Sequence, residues 1–103
     1  MMKKYSIVVL VLLAACGTAS KMMPTAEVLP SMQEKVPDMT MDRAQKGYAL
    51  YKEKCSGCHR LHTPSEYTAN GWDKSLVEMF PKAKVKDAAT QDLIRDYLHA
   101  LSK

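Results

Sequence analysis

Cys55-Ser56-Gly57-Cys58-His59 is the stretch from which the rest of the 103-residue chain is read. Two thiols three positions apart, followed at once by an imidazole, form the C-x-x-C-H pattern of a c-type haem attachment site. Each thiol can add to one vinyl group of the same porphyrin, giving two thioether bonds. His59 then lies under the iron and can supply the proximal nitrogen, so one short turn carries both the covalent anchor and the first axial bond.

Other uses of paired thiols are weaker. A zinc site needs further thiols or a second pair of histidines at ligand spacing, whereas this region offers only Cys55, Cys58 and the scattered His59, His62 and His99. A thioredoxin-like pair needs a βαβ context, and no segment reads as a strand.

The N-terminus reads as a targeting leader. Lys3 and Lys4 precede a short apolar run, Tyr5 to Leu13, and Leu13-Ala14-Ala15-Cys16 closes it. The run is shorter than the roughly 20 residues a bilayer span requires. The closing Leu13-Ala14-Ala15-Cys16 resembles a bacterial lipobox, which implies a signal peptide over residues 1–15 and lipidation of Cys16 as the first mature residue; the plainer alternative is a secretory signal with Cys16 a leftover thiol. Three cysteines then divide into one lipid site and two thioether sites. Export agrees with haem attachment, because c-type maturation in bacteria takes place outside the cytoplasmic membrane.

Charge gives little direction to function. From Met39 to Lys103 there are eleven Lys or Arg against eight Asp or Glu, and two haem propionates would bring that region close to neutral. The basic stripes and aromatic platforms of nucleic-acid binders are missing, so no nucleic-acid partner is expected.

Residues 16–38 contain Pro24, Pro30 and Pro37 with no sustained apolar period, which predicts a flexible tether behind the lipidated cysteine. Its end-to-end distance would be about 25 Å, enough for a head domain to swing from a membrane towards a partner. The head, residues 39–103, is expected to be all-α, with three to four short helices. Asp42 can cap a first helix whose Ala44, Gly47, Tyr48 and Tyr51 share a face. Glycine inside a helix costs about 1 kcal/mol relative to alanine, so Gly47 predicts the close approach of another backbone, that of the last helix. Ala69 to Phe80 reads as a second helix with Trp72, Leu76, Met79 and Phe80 on one side, stopped by Pro81. Lys82 to Lys86 is a basic loop, and Asp87 can cap a final helix striped by Leu93, Ile94, Tyr97, Leu98 and Leu101.

With Gly47-Tyr48-x-Leu50-Tyr51-x-x-x-Cys55, the C-x-x-C-H run and Ile94-x-x-Tyr97-Leu98 in place, residues 40–103 resemble the class I mono-haem cytochromes c. The resemblance implies a small fold around one covalently bound haem c, with the first and last helices crossing so that Gly47 and Tyr48 meet Tyr97 and Leu98. It also implies that Met79, seven residues beyond Trp72, is the distal iron ligand. Met79 is independently the only methionine after the haem motif; the alternative is a core methionine on the Trp72 face. His62 competes for the distal position, although its closeness to His59 keeps it near the proximal side. His99 lies off the apolar stripe and reads as a solvated surface residue. In related cytochromes a carbonyl near a proline accepts the proximal imidazole proton, and here Pro64 is the proline available.

The function implied is single-electron transfer between redox proteins by a lipid-anchored carrier, not an enzyme and with no small-molecule substrate. Its head would lie in the periplasm or at the cell surface, and Lys82, Lys84 and Lys86 would steer acidic partners. A haem protein with an open axial site, acting as sensor or peroxidase, and a non-haem metal-binding lipoprotein module are the alternatives.

Overall fold

A computed structural model describes residues 22–56 and 61–103 of the chain. Those residues form four α-helices and one 3-10 turn, with no strand among them: α1 Leu29–Lys35, α2 Met41–Cys55, the turn Pro64–Glu66, α3 Ala69–Lys82 and α4 Ala88–Ala100. The all-α expectation holds for the described residues. Helix α4 is the hub, crossed most extensively by α2 and flanked by α3 and α1.

The crossing of α2 and α4 follows from one missing side chain. A Cβ on Gly47 would lie 2.5 Å from the Leu93 carbonyl oxygen and 2.6 Å from Tyr97 Cβ, so only glycine lets the two backbones meet there. Tyr48 and Tyr97 pack with ring centroids 5.8 Å apart, as the resemblance implied. Arg43 and Asp96 pair across the same crossing at 2.9 Å, half-exposed and therefore of modest energetic weight. Ile94, Tyr97 and Leu98 are fully buried, each contributing roughly 1.5–3 kcal/mol by leaving water.

The helix ends differ in detail from the sequence expectations. Thr40, not Asp42, caps α2, its hydroxyl accepting from the Arg43 amide at 3.1 Å; Asp42 instead sits in the first turn and pairs with Lys46 at 3.0 Å. Thr68 caps α3 and Asp87 caps α4, the latter as expected. Helix α3 runs through Pro81 to Lys82 rather than stopping before it. Ala83, Lys84 and Val85 fold back to bond the carbonyls of Met79, Pro81 and Phe80, which closes the last turn around the proline.

The larger correction concerns the expected tether. Helix α1 lies inside it, with Pro30 in its first turn, where the absent N–H would have had no intrahelical acceptor. Met32 is fully buried and Met39 is 1% exposed, while Val28, Leu29 and Val36 pack against the same core. Polar contacts fasten the segment at both ends: the Tyr97 hydroxyl donates to the Met22 carbonyl, and Lys35 Nζ donates to the Ser102 carbonyl. Residues 29–36 are thus part of the folded body, and the remainder of the expected tether up to residue 21 lies outside the described residues. Among the described residues no helix is long and apolar enough to cross a membrane.

Candidate functional site

Helix α2 ends on Cys55, which is 5% exposed and lines a pocket of about 80 Å³. Tyr51, one helical turn earlier, stands beside it. Helix α3 contributes Trp72, Ser75, Leu76 and Met79 to the lining. Leu61, His62 and Tyr67, from the segment leading into α3, complete the lining.

That leading segment is firmly held. The Trp72 indole N–H donates to the Pro64 carbonyl at 2.7 Å in a buried hydrogen bond, and the Tyr51 hydroxyl donates to the His62 carbonyl at 2.6 Å. Within it the Glu66 amide donates to the Thr63 carbonyl and the Thr63 amide to the Glu66 carboxylate. The Lys103 amide donates to the Tyr67 carbonyl at 2.9 Å, which draws the end of the chain onto the pocket wall. Tyr67 and Tyr51 both meet Trp72 edge-on, at 5.0 and 5.9 Å between centroids, forming an aromatic cluster. Burial, with Cys55 and Glu66 nearby, pushes the Tyr51 phenol well above its ordinary range; burial also raises Tyr97, with Tyr48 and Tyr51 adding to the effect. Both are therefore neutral hydrogen-bond donors near neutral pH.

The structure brings Cys55 and Met79 to one pocket, and it brings His62 there as well. The His62 ring packs against Tyr67 at 5.5 Å, with Nδ1 3.6 Å from the Glu66 carboxylate. Cys58 and His59 lie outside the described residues, as does Cys16. The Pro64 carbonyl, linked by resemblance to the proximal imidazole, is the acceptor for Trp72. His99 departs from its expectation. It is half-buried, and its Nε2 lies 2.7 Å from Asp73 Oδ1, because α3 passes beside that face of α4. Among the described residues no three His, Cys, Asp or Glu side chains gather as a metal-binding set.

The described residues fit a haem in the character of their walls. A porphyrin is a broad apolar disc that needs an apolar slot and sulfur at its edge. Leu61, Tyr67, Trp72 and Leu76 give apolar walls, Cys55 a sulfur, and Met79 a thioether in the same lining. A separate surface hollow gathers Lys54, Lys84 and Lys86 around Val85, so the lysine next to Cys55 joins two of the three expected from the loop. No protein-family model, no curated protein and no solved structure matches the chain.

Proposed function

We propose that this chain is a mono-haem c-type cytochrome, anchored to a membrane through Cys16, that passes single electrons between redox proteins on the exported side. The observation that carries the reading is Cys55, the first residue of the Cys55-Ser56-Gly57-Cys58-His59 run, opening onto an apolar pocket that Met79 also lines.

In this reading Cys55 and Cys58 hold the haem by thioethers, and His59 and Met79 are its axial ligands. The haem supplies a reversible one-electron couple, and Met/His ligation favours the ferrous state and a raised potential. The chain contributes the rest. The Trp72–Pro64 and Tyr51–His62 hydrogen bonds hold the pocket wall in place. Leu61, Leu76 and the aromatic edges exclude water, which lowers the local dielectric and limits reorganisation when charge changes. Lys54, Lys84 and Lys86 give a basic surface for an acidic partner.

The experiment is mass and ferric absorption spectrometry of mature protein produced alongside c-type maturation machinery. The expected result is one covalent haem and a near-infrared band of methionine ligation that Met79→Ala abolishes. Mature protein without the haem mass would overturn the reading. Retention of the band in Met79→Ala would exclude Met79 as ligand, and rapid carbon monoxide binding by unmodified protein would favour the open-site sensor.

A further inference from the structure

Helix α1 and its flanks are fastened to the C-terminal end of α4. At one end of the segment the Tyr97 hydroxyl holds the Met22 carbonyl; at the other Lys35 holds the Ser102 carbonyl; Met32 between them and Met39 just beyond are sunk in the core. Gln33 adds a hydrogen bond to the Met39 carbonyl at 2.9 Å, locking α1 to the start of α2. A stretch with two buried methionines and ties at each end is part of the head, and it cannot also serve as slack.

We infer that the head is held close against the bilayer and exchanges electrons with a partner confined to the same membrane, not with one that must be reached by swinging outward. The inference rests on the reading of Cys16 as the lipidated residue. Between Cys16 and the first clasped residue, Met22, there are six peptide steps. Fully extended these reach about 20 Å. That is an upper limit for the native chain, whereas the 22 residues from Gly17 to Asp38, if free, would have a contour several times as long. The docked clasp therefore converts a long leash into a short one. A membrane-embedded or membrane-docked redox protein meets such a head without its swinging outward, because Met22 stays within that distance of the lipid anchor.

The test uses lipidated, full-length protein on a supported bilayer, with neutron reflectometry reporting the gap between bilayer and protein layer. A spacer of twenty Gly and Ser residues inserted between Ala19 and Ser20 adds about 25 Å of flexible reach. The expected result is a native gap of no more than about 20 Å that widens in the spacer variant, with the Met32 and Val36 amides exchanging at least 100-fold slower than in an unstructured chain. Random-coil exchange at those amides, or a native gap equal to that of the spacer variant, would overturn the inference. Mass spectrometry of the same sample keeps the two readings apart: absence of lipid on Cys16 removes the anchor, whereas lipid present with unprotected amides removes the clasp alone.

Discussion

Tyr97 sits so close to Gly47 that a methyl group on the glycine would fall 2.6 Å from its Cβ. Alanine in place of glycine within an ordinary helix gains about 1 kcal/mol. Here the sign reverses, because α2 and α4 would have to separate at the centre of the core. Gly47→Ala is expected to destabilise the fold by roughly 1–3 kcal/mol. Equilibrium urea unfolding measures it, and a variant at least as stable as the parent would show that the crossing has room to spare.

Trp72→Phe removes the donor that the Pro64 carbonyl uses while keeping most of the ring volume. The buried acceptor is left without that partner, at a cost of about 1–3 kcal/mol. The loosened wall is the one that carries Leu61, His62 and Tyr67, so faster hydrogen exchange there should exceed any change in α1. Uniform exchange changes throughout the chain would indicate a global loss instead.

Stability should fall as the pH rises into the alkaline range. Tyr51 and Tyr97 are held neutral by burial above the ordinary phenolic value of about 10, which the unfolded chain recovers. Below that value both states keep the protons and these groups add no pH dependence. Above it the unfolded state gives them up first, and stability falls by up to about 1.4 kcal/mol per pH unit for each tyrosine. Denaturant titrations between pH 8 and 11.5 should show the decline, and Tyr97→Phe should flatten it by about half. A stability curve flat to pH 11.5 would contradict the burial of both phenols.

Lys84 has φ 59°, the left-handed conformation that glycine adopts at little cost and other residues at about 1–2 kcal/mol. Lys84→Gly should therefore raise stability by roughly 0.5–1 kcal/mol, read as a higher unfolding midpoint. It should also weaken the basic hollow shared with Lys54 and Lys86. If that hollow steers an acidic redox partner, Lys84→Gly slows association at low salt and matches the parent once salt screens both. Equal association rates at every ionic strength would remove the steering role.

The helical frame was readable from the chain because apolar spacing repeats faithfully in α2, α3 and α4, and because Gly47 and Asp87 carry local signals whose causes are steric and electrostatic. Prolines misled. Pro30 and Pro81 read as breakers, yet each occupies a terminal turn, where a missing N–H or a closing loop accommodates it. Val28, Met32 and Val36, spaced four apart, were the available trace of α1, too short and too sparse to stand out without the α4 face that buries it. His99 shows a second limit: periodicity assigns a residue to a side of its own helix, but only the neighbouring path of α3 sets Asp73 against it. The pocket was partly legible, since Met79 followed from its place after the motif. The Trp72–Pro64 tie was not, because a side chain reaching a backbone oxygen eight residues away leaves no spacing pattern.

The burial of Cys55 at the end of α2 bears on how such a protein is made. A sulfur only 5% exposed offers little access to any large catalyst once the helices have closed over it. If a haem is joined to Cys55, as proposed, it has to arrive while the polypeptide is still open, and assembly becomes a race between ligation and compaction. Substitutions that speed closure of the helices would then lower the yield of pigmented product, leaving a well-folded and colourless fraction.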